Sequence, residues 1–226
     1  MESLLVISTS PQVEGSHSRQ MAARFTRLWA KNNPEGRVVE RDIGRKPVPH
    51  VDEQWISAAF TSEEDRTPDQ RAALEISDAL VAELRNATTI VIGCPMHNLS
   101  VPSTLKAYID QVVRMGVTTK LVPDTPKSPY LGLLSDKPTY LMLVRGGYGY
   151  ESGNAYAPMN FQEPYLRAVL KMLGIESVKT IALEYAAMDG NYFESALDDT
   201  NALIDSLFDE SSKAISGNLN KYSSNP

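Results

Sequence analysis

Short runs of consecutive apolar residues alternate along this chain with longer stretches in which apolar residues recur every three or four positions. Leu4-Leu5-Val6-Ile7 is the first run, and the turn-forming cluster Ser8-Thr9-Ser10-Pro11 ends it. From about Ser18, the residues Met21, Phe25, Leu28 and Trp29 recur at helical spacing until Asn32-Asn33-Pro34-Glu35-Gly36 stops them. Residues 37–43 alternate as a second strand, and 51–60 suggest a short helix under a long connection. Thr67-Pro68-Asp69-Gln70 is a helix start, with Thr67 as N-cap, Pro68 at the first helical position and Gln70 closing a capping box. Ala73, Ile76, Leu80 and Leu84 supply its predicted buried stripe. Residues 89–93 are continuously apolar or small, as expected of a strand covered on both faces. Residues 102–115 predict a helix with Leu105, Ile109, Val112 and Val113 on one face. A proline-bearing excursion over 120–137 follows, of the kind that is functional or disordered. Then come a strand over 139–144, a helix over 164–173, a strand over 177–183 and a helix over 193–208 carrying Leu197, Leu203, Ile204 and Leu207.

The 226 residues suit one large domain, expected over 1–215, with a flexible Ser/Asn-rich tail over 216–226. At 42% hydrophobic residues the chain can fill a sizeable core. The net charge of -6 argues against nucleic acid as the main partner, because phosphate neutralisation needs a basic face. A single cysteine, Cys94, leaves no internal disulfide and no cysteine-based zinc site, and no metal is expected. The N-terminal apolar run is too short for a signal peptide, and no run approaches the length of a membrane span, so a cytoplasmic protein with no membrane partner is the simplest reading.

Strands that alternate with helices imply a parallel α/β sheet. Five strands suit a flavodoxin-like order, 2-1-3-4-5, with helices on both faces and a ligand at the carboxyl ends of the first and third strands. Three segments follow predicted strands and would share that edge. The first carries Ser10, Ser16 and Ser18 before a helix whose opening turn offers free N–H groups and a positive dipole end. A phosphate monoester suits it, although serines there also serve simply as helix caps. There is no Walker lysine and no G-x-G-x-x-G. The second is Pro95-Met96-His97-Asn98, where main-chain N–H groups and the Asn98 amide can meet the edge of a planar ring. Alone, Asn98 reads equally as a turn residue, Met96 as core and Cys94 as small apolar filling. The third is Val144-Arg145-Gly146-Gly147-Tyr148-Gly149, whose glycines let the backbone approach a flat ligand and offer donors to a carbonyl edge. Together the three point to a flavin.

The same segments resemble the FMN-dependent NADH:quinone oxidoreductases, also called FMN-dependent NADH-azoreductases. The likeness runs over 4–207 and is carried by Ser10, Ser16-His17-Ser18, Pro95-Met96-His97-Asn98, Pro102-Ser103-Thr104-Leu105-Lys106-Ala107-Tyr108-Ile109-Asp110, Arg114-Met115-Gly116-Val117-Thr118 and Arg145-Gly146-Gly147. It implies a homodimer with FMN at the interface and electron transfer from NADH or NADPH to quinones and azo compounds in a two-step exchange. It also implies that Ser10 and Ser16, His17 and Ser18 hold the FMN phosphate. Pro95, Met96, His97, Asn98 and Leu99 would line the ring, while Val144, Arg145, Gly146 and Gly147 close over its pyrimidine edge. The chain departs from the usual pattern at four positions. His97 replaces a common tyrosine, Leu99 an aromatic, Val144 a serine and Thr119 a phenylalanine, and residues are added over 123–129.

In the resulting mechanism the N–H groups of His97 and Asn98 face one edge of the ring and those of Gly146 and Gly147 the other. His97 is the candidate for supplying or relaying a proton, with water as the alternative. Tyr108 and Val112 are either available to a second subunit or packed on their own sheet. The competing classes are a flavodoxin-like electron carrier, an NADPH-dependent FMN reductase and a family member acting only as an interaction protein.

Overall fold

The computed structural model describes residues 1–122, 128–188 and 190–209. The expected tail over 216–226 and the boundary at 215 lie outside the described residues, as does most of the 121–129 loop. The strands are β1 (Ser3–Ser8), β2 (Arg37–Asp42), β3 (Thr89–Pro95), β4 (Thr119–Leu121), β5 (Tyr130–Gly132), β6 (Thr139–Val144) and β7 (Val178–Leu183). The α-helices are α1 (His17–Asn32), α2 (Glu53–Phe60), α3 (Pro68–Asn86), α4 (Ser103–Val112), α5 (Glu163–Leu173) and α6 (Asn191–Ser206).

Five strands form one parallel sheet in the order β2-β1-β3-β6-β7, a flavodoxin-like arrangement. The expected order 2-1-3-4-5 needs renumbering, because the hairpin β4–β5 intervenes between the third and fourth sheet strands. Each of its strands has three residues and most are exposed, so neither periodicity nor burial marks them in sequence. The hairpin is fastened at its base. A Cβ on Gly132 would lie 2.0 Å from the Gly174 nitrogen, and Leu134 N donates to Leu173 O at 3.0 Å. Gly174, with φ 101°, is the left-handed cap that ends α5.

Alternation along the strands feeds two cores. Leu5, Ile7, Ile90, Ile92, Leu141 and Leu143 face α3, α4 and α5. Leu4, Val6, Val91, Met142 and Val144 face α1 and α6, where Phe25, Trp29 and Ile204 meet them. Helices therefore cover both faces. Thr67 and Gln70 do form the capping box of α3. The buried stripe of that helix is rotated from the expected one: Leu74, Ser77, Leu80, Val81 and Leu84 are inside, whereas Ile76 is 45% exposed. The α2–α3 contact with Trp55 and Ala58 draws Leu74 inward. In α6, Ile204 is buried but Leu203 is 56% exposed. Helix α4 stops at Val112 rather than Met115, because the Thr118 hydroxyl donates to Val112 O at 2.6 Å and turns the chain. Tyr108 and Val112 are 3% and 1% exposed within the subunit, which settles their packing on the chain's own sheet.

Lys137 caps α3 from outside. Its buried ammonium donates to Leu84 O at 2.7 Å and Ala87 O at 2.8 Å, satisfying carbonyls that the helix end leaves open. Lys137→Met should lower the urea midpoint by a stability loss of about 1–3 kcal/mol, the cost of leaving such carbonyls unpaired. An unchanged midpoint would show that water replaces the lysine freely.

Candidate functional site

Strands β1, β3 and β6 are neighbours, with Ser8 level with Gly93 and Pro95 level with Val144. Their carboxyl ends deliver the three expected segments side by side. Thr9 binds Gly93 O through both its N–H (3.1 Å) and its hydroxyl (2.9 Å), and Met96 N donates to Val144 O at 2.7 Å. The three loops are thus one unit.

In the first segment, Ser10, Ser16 and Ser18 are all buried. Ser16 is the N-cap of α1 yet makes no capping bond; its hydroxyl lies 3.3 Å from that of Ser18. Among the described residues the N–H groups of His17, Ser18 and Arg19 meet no acceptor, and His17 Nδ1 is buried without a partner. The His17 ring rests on Phe193 of α6 at 4.9 Å. Arg19 ties the loop down from outside: Nη2 donates to Ser10 O at 2.6 Å, Nε to Gln12 O at 2.9 Å, and the fork grips Asp42 at 2.7 Å. This pairing holds the Asp42 carboxyl below the usual carboxylate range, mainly through the Arg19 hydrogen bond. Gly93 lets the helix come this close, because a Cβ there would lie 2.6 Å from Ser18 O. Hydroxyls, open amides and a helix N-terminus, with Asp42 already neutralised, are a donor set suited to a phosphate monoester.

The second segment is a tight turn. His97 N donates to Ser100 O at 2.9 Å and Ser100 N to His97 O at 3.0 Å. Asn98 (φ 48°) and Leu99 (φ 69°) both occupy left-handed backbone, the signature of a two-residue type I′ turn. Asparagine tolerates that region; leucine does so at a cost of roughly 1–2 kcal/mol. The expected His97 N–H donor is therefore corrected, since it closes the turn, while the Asn98 N–H stays open. The His97 and Asn98 side chains line a groove of about 540 Å³ with Ser103, Lys106 and Tyr165. Met96 is half-buried, and Leu99 O accepts from Phe161 N at 3.0 Å.

The third segment orients its donors by its carbonyls. Arg145 O accepts from Ala186 N, Gly146 O from Ala187 N and Gly147 O from Tyr185 N, at 3.0, 3.0 and 2.9 Å. In a trans peptide the following N–H is antiparallel to the carbonyl. The N–H groups of Gly146, Gly147 and Tyr148 therefore all point away from 185–187, and among the described residues none has an acceptor. Three adjacent amides on one side form a nest for a carbonyl or anionic edge.

Arg145 itself is corrected from contact to support. Its guanidinium is fully buried among Glu151 (2.6 Å), Glu184 (3.2 Å) and Glu163 (3.3 Å), with Gln162 Oε1 accepting from Nε at 3.3 Å. Its main-chain N–H goes to Leu183 O at 2.8 Å. Burial pushes the Glu163 carboxyl up, but hydrogen bonds from Thr180 and Arg167 and the charges of Arg167 and Arg145 hold it below the usual range. Gln162 Nε2 continues the network to Cys94 O at 3.0 Å. Val144 is buried in the core, so its side chain serves packing. Thr119 is buried too, its hydroxyl directed at Leu131 O at 3.4 Å, which removes it from any ligand mouth.

Sequence reading missed Tyr148 N–H, Glu184 and a stack of rings beside the loop. Tyr148 lies parallel to Tyr185 at 4.9 Å, and Tyr185 to Tyr192 at 5.8 Å. Tyr185, with φ 64°, accepts a left-handed backbone to reach that place. No spacing rule links residues so far apart in the chain. Among the described residues no group of His, Cys, Asp and Glu side chains could hold a metal ion, and no helix is long and apolar enough to cross a membrane.

A doubly wound sheet with its open amides gathered at the carboxyl edge defines a flavodoxin-like ligand-binding protein, and the family model described as "Flavodoxin-like fold" matches residues 2–206. The chain belongs to the FMN-dependent NADH:quinone oxidoreductase family within that fold. It is 41% identical over 204 residues to FMN-dependent NADH:quinone oxidoreductase 2 of Trichormus variabilis, covering 90% of this chain and 97% of the relative. It is 40% identical over 200 residues to FMN-dependent NAD(P)H:quinone oxidoreductase 1 of Pseudomonas aeruginosa, covering 88% and 94%. In fold it matches an FMN-dependent NADH-azoreductase from Bacillus anthracis solved in complex with FMN, with TM-score 0.76, 22% identity and coverage of 92% and 100%.

Burial pushes the Cys94 thiol up to about 12. It should stay unreactive to a thiol reagent at pH 8 in the folded protein and react on denaturation; rapid labelling of native protein would overturn its role as filling. Asp42 has a lowered folded pKa, so its stabilising contribution is present at neutral pH and is lost as pH falls through that lowered value. The urea midpoint of the wild type should therefore drop more steeply on acidification than that of Asp42→Asn. Parallel curves would remove the Arg19–Asp42 pair from the account.

Proposed function

We propose that the protein is an enzyme that binds FMN at the three loops and passes electrons from NADH or NADPH to quinones, with azo compounds as a second class of acceptor. The observation that carries this reading is the alignment of an anion-suited helix start and an amide nest across three neighbouring strand ends. Bound FMN would supply the chemistry of accepting two electrons from the donor and giving them to the acceptor.

The chain's residues bind and orient. The hydroxyls of Ser10, Ser16 and Ser18, with the open amides of His17 and Ser18, would hold the phosphate. His17 Nδ1 adds a buried donor or acceptor beside them. Pro95, Met96, Asn98 and Leu99 would line the ring, with the Asn98 N–H toward one polar edge. Gly146, Gly147 and Tyr148 N–H groups would face the pyrimidine edge and favour negative charge there, as preorganised donors do at any developing anion. His97, which lines the groove, would be the candidate for supplying or relaying a proton, with water as the alternative. Donor and acceptor would use one face in turn, giving two-step kinetics. A homodimer working in the cytoplasm completes the reading; it is supported by family membership, while Tyr108 and Val112 are spent inside the subunit.

Mass identification of the flavin in purified protein, followed by NADH and NADPH oxidation with a quinone and with an azo dye, tests the proposal. Bound FMN with steady quinone-dependent oxidation supports it. FMN without oxidation would make the protein an electron carrier, and rapid release of FMN as product a flavin reductase. Gly93→Ala should push back the start of α1 and weaken FMN binding about tenfold, the scale of overpacking a tight contact. His97→Ala should retain FMN and change the pH profile of turnover; an identical profile would assign the proton to water.

A further inference from the structure

One carboxylate holds the glycine loop from behind. Glu184 stands one residue beyond β7, with its side chain 16% exposed. Its Oε2 accepts from Gly149 N at 2.7 Å, and its Oε1 accepts from Tyr150 N at 3.0 Å and from Arg145 Nη1 at 3.2 Å. Resting on the FMN reading above, we propose that Glu184 is a positioning residue that clamps the far end of the glycine loop, and so keeps the N–H groups of Gly146, Gly147 and Tyr148 aimed at the pyrimidine edge of the flavin.

The loop needs such an anchor. Residues 145–150 contain three glycines, which surrender more conformational freedom on ordering than any other residue. The three carbonyl bonds to 185–187 fix the peptides that carry the Gly146, Gly147 and Tyr148 N–H groups but end there; beyond them Tyr156 N holds Gly149 O at 3.0 Å and Asn160 Nδ2 holds Tyr150 O at 3.2 Å, which leaves the Gly149 and Tyr150 N–H groups to Glu184. Gly149 has φ 79°, so the second half turns sharply and has no strand to pair with. Two charge-assisted bonds to consecutive amides are the strongest of the contacts that hold that half. The same carboxylate is pinned by Arg145, which Glu163 and Gln162 hold in turn. The direction set by the three carbonyl bonds is therefore secured at the far end of the loop, from behind, by a residue outside the amide nest.

The alternative is that Glu184 acts only as a counter-charge to Arg145. Glu151 separates the two: its carboxylate is 2.6 Å from Arg145 Nη1 and makes no bond to the amides of the glycine loop. Both Glu184→Ala and Glu151→Ala remove one negative charge from the same guanidinium; only the first also removes the acceptor of the Gly149 and Tyr150 N–H groups. Glu184→Gln keeps one acceptor oxygen, gives an intermediate case and guards against misfolding of the alanine variant.

FMN dissociation constants from fluorescence quenching, flavin midpoint potentials and amide hydrogen exchange of the apoproteins test the assignment. Glu184→Ala should weaken FMN binding about tenfold, lower the potential relative to Glu151→Ala, and speed exchange at Gly149 and Tyr150. Glu184→Gln should recover part of each. Equal affinities, potentials and exchange rates in Glu184→Ala and Glu151→Ala would overturn the positioning role. A wild-type protein that binds no FMN would instead overturn the cofactor reading on which it rests.

Discussion

A buried positive charge organises this molecule. The Arg145 guanidinium lies wholly inside, where an unpaired cation would cost several kcal/mol, and the chain surrounds it with Glu151, Glu163, Glu184 and Gln162. These partners come from the loop after β6, the start of α5 and the end of β7. Satisfying one charge therefore ties the start of α5 to the paired ends of β6 and β7, and Gln162 extends the constraint to the end of β3. Such a node adds little net stability over an apolar core, but it tolerates few arrangements, which is what a ligand edge requires.

The proposed ligand edge is built mainly from backbone. Its donors are the open amides at the start of α1, at Asn98 and at 146–148, each oriented by hydrogen bonds made elsewhere in its own peptide or turn. The side chains of His97, Leu99 and Val144 are not among those donors. The left-handed conformations of Asn98, Leu99 and Tyr185 are held by bonds from Ser100 N, Phe161 N and Met188 N to the neighbouring carbonyls. Strain of this kind persists only where surrounding contacts over-determine it.

The sheet was legible because its central strands β1, β3 and β6 are covered on both faces and read as nearly unbroken apolar runs, while β2 alternates. The Thr67–Gln70 capping box was legible because it is local. The β4–β5 hairpin was not, because three-residue exposed strands have no periodicity. The rotated face of α3 was not, because the Trp55 contact that turns Leu74 inward comes from a different helix. At the site, the three loops could be found from strand ends and glycines. The role of Arg145, the closure of His97 N–H on Ser100 and the Glu184 clamp depend on distant partners, and a single residue in sequence carries no mark of its partner.

The seam between Gly132 and Gly174 has a consequence for how this scaffold can vary. With both backbones in contact there, and Leu134 bonded to Leu173, the base of the β4–β5 hairpin is welded to the end of α5. Whatever chain joins the two strands hangs from a closed clasp, and lengthening it adds only a slowly growing closure entropy. The length of the connection between the two strands can therefore vary without retuning the sheet. The hairpin is a modular port, where new sequence can be added or exchanged while the proposed ligand edge keeps its shape.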